Sequence, residues 1–371
     1  MPAPARSSRG ARRITVLLAV LTAVILTGCV SPSADPVEAV AGSASATPDA
    51  ETALERDVRT TFHNEEERAA VAVIEDGEAT TVYERADEET VYEIGSISKV
   101  LIGELLAIAI ERGEVELDDP LGAHLPLGDV PAASVTLRSL ATHRSGLPFE
   151  PTDAAWMAAS KAAFAAGGNP YTSSREELIE LARREQVVPG DDPVYSNFAA
   201  ALLGHALAAA AGTDYRTLLE ERVLEPLGMD DAVLVETAEQ VPDEHAGGYS
   251  RPGHPVAPWW GGGFSPAVLV HATLDDLIAL AQAVIDGPLS HSAALEPVAV
   301  GYNRAEQIGY FWWVTEDAPR TITGHGGTTG GFSSALMIDR EAGIAAMVLV
   351  NAHRDVDSFA LRYLVEADRT G

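Results

Sequence analysis

The pattern of apolar and polar positions alternates at both ends of the chain and turns helical in between. In "AAVAVIEDGEATTVYERA" two β-prone runs flank Glu75-Asp76-Gly77, the residue pattern of a hairpin turn. Near the other end "SALMIDREAGIAAMVLVNA" repeats that layout, with Gly343 in the polar turn between two apolar strands. Helical periodicity runs over residues 97–112, 174–185, 198–211, 214–224 and 272–286. This order predicts an α/β (α+β) chain: an antiparallel sheet formed from both chain ends, flanked by helices, with a mainly helical subdomain inserted at roughly 115–295. No internal repeat is visible, and no apolar run after the amino end is long enough to span a bilayer.

The amino end follows a different pattern. Arg6, Arg9, Arg12 and Arg13 precede an apolar run from Ile14 to Leu26 that closes with Leu26-Thr27-Gly28-Cys29. The run is short for a membrane span and has the layout of an export signal, expected over 1–28. Its ending resembles the bacterial lipobox, which implies lipidation of Cys29 as the first mature residue. Cys29 is also the only cysteine of the chain, so an intrachain disulfide is excluded. Residues 29–53, rich in Ala, Ser, Pro and acids and without aromatic residues, lack the apolar surface to fold and are expected to be a flexible tether. Such a tether has an r.m.s. reach of about 25 to 30 Å, enough to hold the domain at 54–371 just off a membrane. The chain is thus expected to be exported, extracytoplasmic and lipid-anchored to a bacterial membrane.

Charge narrows the choice of partners. With 55 acidic against 25 basic residues the net charge is −30, and removing the signal would take away four arginines and no acid. Such a surface repels nucleic acid and anionic lipid, which leaves the lipid as the membrane contact. No Cys or His cluster has metal-ligand spacing, and no cofactor is expected.

The basic residues themselves are informative, because 23 are arginine and only two lysine. One lysine, Lys99, stands three residues after Ser96 in "VYEIGSISKVLIGELLAIAI", at the start of a helix preceded by the flexible Gly95. That spacing puts the two side chains on one face, a turn apart. Ile97, Leu101, Leu105 and Ile108 lie on one face of this helix and Ile102, Leu106 and Ile110 on another, so it belongs in a core. Burial lowers a lysine pKa from about 10.4 toward the range where the amine accepts a proton, which arginine cannot do. Ser96 then reads as a nucleophile and Lys99 as its activator. Ser98 points to a different face and is expected to cap or meet solvent. A second group, Tyr195 and Asn197, stands just ahead of the Ala- and Leu-rich helix in "DPVYSNFAAALLGHALAAAAG"; by itself it reads as a turn and N-cap. A third, His325-Gly326-Gly327-Thr328 in "TGHGGTTGGFSSALMI", leads into a strand and exposes backbone for close approach of a ligand; the strand before, helix after and Lys-Ser/Thr ending of a phosphate loop are missing.

In this order the three segments resemble the serine β-lactamase and penicillin-binding-protein superfamily, in the branch of class C β-lactamases, DD-peptidases and esterases. Over about residues 55–366 the resemblance is supported by "LDDPLGAHLP", "SLATHRSGLP", "LLEERVLEPLGMDDA", "HATLDDLIAL" and "GIAAMVLVN". It implies that Ser96 is acylated, Lys99 activates it, and Tyr195 shuttles a proton as a phenolate-like group. It further implies that Asn197 contacts the lysine and substrate, and that the N–H groups of Ser96 and Thr328 form an oxyanion hole. The function implied is a serine hydrolase of DD-carboxypeptidase or esterase type, with a small-molecule or peptide acyl donor, a peptidoglycan peptide among the candidates. β-Lactamase is one alternative; a non-hydrolysing penicillin-recognising sensor is the other.

The chain departs from the family in the third segment, where His325 and Gly326 replace the Lys and Thr that help to hold a substrate carboxylate. A histidine there is expected to be a weaker, pH-dependent cation, and glycine brings no hydroxyl, so β-lactamase falls in rank. His143 reads as a hydrogen-bonded core histidine, and Trp259, Trp260, Trp312 and Trp313 as pocket wall or core. An α/β-hydrolase elbow is absent, since Ser145 has His143 where the first glycine should stand. Radiolabelled fatty acid is expected to enter the wild-type protein but not Cys29→Ala; release of unlabelled protein with a mature end elsewhere would remove the lipid anchor.

Overall fold

The computed structural model describes residues 51–366 except 191, 318 and 319, so the signal, Cys29 and nearly all of the tether lie outside the described residues. β1 (Ala69–Glu75) and β2 (Glu78–Glu84) form the first hairpin, and its turn residues Asp76 and Gly77 both have positive φ, 53° and 79°. A two-residue loop needs that twist. Further along come β3 (Ala299–Val300), β4 (Glu306–Ile308), β5 (Trp313–Asp317), β6 (Arg320–Thr328), β7 (Ser333–Asp339) and β8 (Ile344–Val350). Together they make an eight-stranded antiparallel sheet in the order β2-β1-β8-β7-β6-β5-β4-β3. The two ends of the chain meet where β1 pairs with β8, Val71 opposite Val348.

Helix α1 (Ala53–Thr61) starts inside the stretch expected to be tether. Thr52 caps it, accepting from Glu55 N at 3.1 Å while Thr52 N donates to the Glu55 carboxylate at 2.6 Å. That reciprocal pair fixes the first turn, and Leu54 and Val58 bury its apolar side. The central stretch supplies α2 (Ser98–Glu111), α3 (Asn197–Ala211) and α4 (Leu274–Ile285), and α5 (Val356–Glu366) closes the described chain. The expected helix at 174–185 is present as Arg175–Arg184, and that at 214–224 as Tyr215–Leu219 continued by a wide turn, Glu220–Leu224. Helix Ala154–Ala165 and α5 were not expected; the first has no apolar stripe to reveal it, only its cap, Asp153, which accepts from Ala155 N and Trp156 N.

Alternate residues of the central strands face two cores. Ala70, Ala72 and Ile74 of β1 with Ala345, Met347 and Leu349 of β8 pack under α2, α3 and α4. Val71 with Ala346, Val348 and Val350 packs under α1 and α5, against Val58, Phe62 and Phe359. Because both faces are covered, β8 is apolar throughout rather than alternating. The helical stretch shares the first of these cores with the sheet, so it is no separate body. Among the described residues no helix is long and apolar enough to cross a membrane.

One close approach sets the position of everything that follows. A Cβ at Gly327 would lie 2.2 Å from both Ile94 O and Ser334 Oγ, and one at Gly95 would lie 2.9 Å from Thr328 N. Strand β6 therefore lies directly against the 3₁₀ turn Gly95–Ile97 that leads into α2, and the Ser334 hydroxyl ties the two by donating to Ile94 O at 2.8 Å. Gly327→Ala is expected to force this contact apart and to cost about 2 kcal/mol, the usual scale of overpacking. The measure is a lower denaturant midpoint at unchanged slope; an unshifted midpoint would contradict the tight packing.

Candidate active site

Ser96 sits in the middle of the 3₁₀ turn, where its N–H, like other donors at a helix start, has no partner within the helix. Lys99, in the first turn of α2, donates from Nζ to Ser96 Oγ at 3.0 Å and to Ala267 O at 3.0 Å. Lys99 is fully buried, 0% exposed, and this loss of water holds its pKa well below the ordinary lysine value. The lysine amine is thereby suited to be a base.

Tyr195 precedes Ser196, the N-cap of α3. Ser196 Oγ accepts from Ala199 N at 2.9 Å and donates to Pro148 O at 2.6 Å, while Ser196 N donates to His143 Nδ1 at 3.2 Å. The Tyr195 ring is flanked by the His143 ring, 4.3 Å between centroids, and the Lys99 ammonium position lies 4.9 Å from its centre. Ser96 is the polar group facing the Tyr195 hydroxyl, yet that buried hydroxyl completes no hydrogen bond of good geometry. Burial raises the Tyr195 pKa above that of an ordinary phenol. The expected phenolate is corrected accordingly: Tyr195 is held as a neutral phenol, because desolvation outweighs the pull of neighbouring groups.

Asn197 differs from expectation in its partner. Its Nδ2 donates to Tyr171 Oη at 3.0 Å rather than meeting Lys99, and its Oδ1 is buried without a partner. Tyr171, whose hydroxyl hydrogen-bonds Glu150, escaped sequence reasoning because only folding brings it to Asn197.

His325 lies on β6 facing Tyr195, ring centroids 6.1 Å apart, and its Nδ1–H donates to Gly326 O at 2.6 Å. The other ring nitrogen is buried and unpartnered. Burial, with Lys99 nearby as a second contribution, pushes the His325 pKa down to about 3. The expectation of a pH-dependent cation near neutrality is therefore corrected, and His325 is neutral across the physiological range. His143 is likewise buried, with its pKa driven well below normal; it is a core histidine as expected, and one that backs Tyr195.

Ser96, Tyr195, Asn197, His325, Gly326, Gly327 and Thr328 all line one cleft of about 1100 Å³, with Lys99 beneath its floor. Trp259 and Trp313 line it too, and Trp312 is core, donating from its indole to Glu104 Oε1 at 2.8 Å. Trp260 lends its carbonyl to Asn169 Nδ2 at 2.5 Å. Ser98 is fully buried and accepts from Val270 N at 3.2 Å, so neither capping nor solvent is its role. Ser145 is buried and accepts from Leu147 N at 3.2 Å.

The profile of the Beta-lactamase family matches residues 59–369. The chain belongs to the Beta-lactamase family. It is 35% identical over 160 residues to the D-alanyl-D-alanine-carboxypeptidase/endopeptidase AmpH of Escherichia coli (strain K12), covering 42% of this chain and 40% of that protein. It is 33% identical over 216 residues to the human Putative beta-lactamase-like 1, covering 54% of this chain and 40% of that one. The chain thus spans well under half the length of these curated relatives. A class C β-lactamase from Rhodobacter sphaeroides superposes with a TM-score of 0.66 at 21% identity, over 81% of this chain and 93% of the other, which establishes the shared fold. The mixed architecture of antiparallel sheet and helices expected from the sequence is that of this Beta-lactamase family member.

The low pKa of Lys99 fixes the sign of the pH response. A base works while unprotonated, so activity is lost as pH falls through the lowered lysine pKa and is present above it. kcat/KM for a neutral ester is expected to rise along a single limb that starts well below pH 10, to keep that limb in His325→Gln, and to vanish in Lys99→Met. A limb that disappears with His325 while Lys99 is intact would transfer the base to the imidazole.

Proposed function

We propose that this protein is a serine hydrolase that works through an acyl-enzyme on Ser96, of DD-carboxypeptidase-like or esterase-like type. The observation that supports it is the 3.0 Å contact between the Ser96 hydroxyl and a lysine with no exposed surface. In the first half-reaction the Ser96 oxygen attacks the acyl carbonyl while its proton passes to the Lys99 amine. The developing oxyanion takes the N–H groups of Ser96 and Thr328, and each such donor contributes about 3 to 4 kcal/mol in comparable enzymes. Tyr195, neutral and facing Ser96, can relay the proton from Lys99 to the leaving group. Water then enters, gives up its proton by the reverse route and releases the acid with Ser96 restored.

Two features favour a peptidase or esterase over a β-lactamase. The relative from Escherichia coli is named a D-alanyl-D-alanine-carboxypeptidase/endopeptidase, and here the family's carboxylate-holding pair is replaced by Gly326 and a neutral His325. The fold neighbour named a class C β-lactamase keeps β-lactam hydrolysis as the second reading. A binding module that is never acylated has no use for a buried lysine of lowered pKa beside a serine hydroxyl. In the cell we place the enzyme outside the cytoplasm, held to the membrane by lipid on Cys29.

A fluorophosphonate is expected to label Ser96, and Ser96→Ala to lose labelling and about 1,000-fold or more of ester hydrolysis. Ser98→Ala and Ser145→Ala should both label. The wild type should hydrolyse a small neutral nitrophenyl ester at least as well as a chromogenic cephalosporin. A cephalosporin turned over much faster would return β-lactamase to first place, and labelling without turnover of any acyl donor would favour the sensor.

A further inference from the structure

Gly326 leaves room on the outer side of β6, and a carboxylate fills it. A Cβ added at Gly326 would lie 2.7 and 2.8 Å from the two oxygens of Asp357. Asp357 stands in the first turn of α5, so the helix brings an anion to the strand that also carries Thr328. Gly326 and Thr328 are two residues apart, which in an extended strand is about 6 to 7 Å. Both belong to the cleft over Ser96.

The charges around Asp357 are already committed elsewhere. Arg354, the nearest cation in sequence, donates from Nε to Glu67 Oε1 at 2.6 Å. Asp355 accepts from Ser358 N at 3.2 Å as a helix cap. His325 is neutral, and Lys99 lies beneath the floor with 0% exposure. Asp357 itself has no side-chain hydrogen bond or ion pair among the described residues. Asp357 is exposed, and the water lost on its strand side, with the like charge of Asp355 after it, raises its pKa. The cleft is also short of partners, since Tyr195 Oη, Asn197 Oδ1 and His325 Nε2 are buried with none. A substrate that fills this space meets an acceptor-only group where relatives of β-lactamase type would need a cation for a carboxylate.

We propose that Asp357 is a specificity-determining residue that selects acyl donors bearing an ammonium group about three bonds from the scissile carbonyl and rejects those bearing a carboxylate there. This rests on the acyl-enzyme at Ser96. The strand step of about 6 to 7 Å between Gly326 and Thr328 sets the scale of the acyl chain to test, three bonds plus one N–H···O contact. The preference is one of relative kcat/KM, since the charge contributes to binding and to the transition state alike.

The test uses three nitrophenyl esters of matched length, the 3-aminopropanoyl, butanoyl and succinyl esters, on the full chain and on Asp357→Asn and Asp357→Lys. The wild type is expected to prefer the ammonium ester to the carboxylate ester by about 30-fold or more, less so as salt is raised from 20 to 500 mM. Asp357→Asn should cut that ratio about tenfold, the effect of losing one charge-assisted contact, and Asp357→Lys should reverse it. The butanoyl ester reports whether each variant is folded and able to acylate. A wild type that hydrolyses the butanoyl ester yet treats all three alike, or a preference that survives Asp357→Asn, overturns the assignment. Absence of turnover for all three with no fluorophosphonate adduct on Ser96 removes the acyl-enzyme reading, and this one with it.

Discussion

A buried ammonium without a counter-charge is costly, and Lys99 has no exposed surface. Its polar neighbours at hydrogen-bonding distance are one carbonyl, that of Ala267, and one hydroxyl, that of Ser96. Neither offers the compensating charge that a buried ammonium requires, so the lysine pKa is held well below its ordinary value. The rest of the site is arranged around this requirement. Ala267 lies in the short helix Ser265–Val268, which comes close to α3 because Gly204 has no side chain: a Cβ there would fall 2.4 Å from Pro266. The same contact holds α3 in place, with Tyr195 just ahead of it and its ring 4.9 Å from the lysine amine. Burial of Lys99, its carbonyl partner and the placing of Tyr195 are thus products of a single packing arrangement.

Backbone proximity does for the Ser96 turn what burial does for the lysine. Gly95, with φ of 53°, and Gly327 allow β6 to lie on that turn with no side chain between them. Next along that strand Gly326 is empty for a different reason, because the space belongs to Asp357. Two adjacent glycines therefore perform separate tasks, one steric and one electrostatic. The electrostatic one runs against carboxylate recognition, as does a His325 whose burial beside Lys99 keeps it uncharged.

The parts of the fold that could be read from sequence were those written in local spacing. The three-residue step from Ser96 to Lys99, the Asp76-Gly77 turn and the uninterrupted apolar run of β8 each contain their own geometry within a few residues. Contacts between distant segments had no such signature. Asn197 meets Tyr171 across 26 positions, and Asp357 reaches Gly326 from a helix whose existence the periodicity did not suggest. The protonation states were misjudged for the same reason. A histidine and a tyrosine in a motif were assigned ordinary titration or a helpful cation, while the water excluded from them depends on His143, Phe311 and Trp313, which arrive from elsewhere. The start of α1 was missed although Thr52 and Glu55 spell a capping box, because composition on its amino side dominated the reading.

A folded chain seldom leaves buried polar atoms without partners, since each costs about 1 to 3 kcal/mol. Here Tyr195 Oη, Asn197 Oδ1, His325 Nε2 and Thr329 Oγ1 are all in that condition and come from segments that border one cleft. The condition is not confined to the cleft, since both ring nitrogens of His271 and the hydroxyls of Tyr92 and Tyr215 share it, but at the cleft the four atoms border open space. A rigid floor made by α2, α3 and β6 holds these atoms in place, so an entering substrate meets dipoles that need little reorganisation. Interactions withheld from the folded protein at these four atoms are available to whatever enters the cleft.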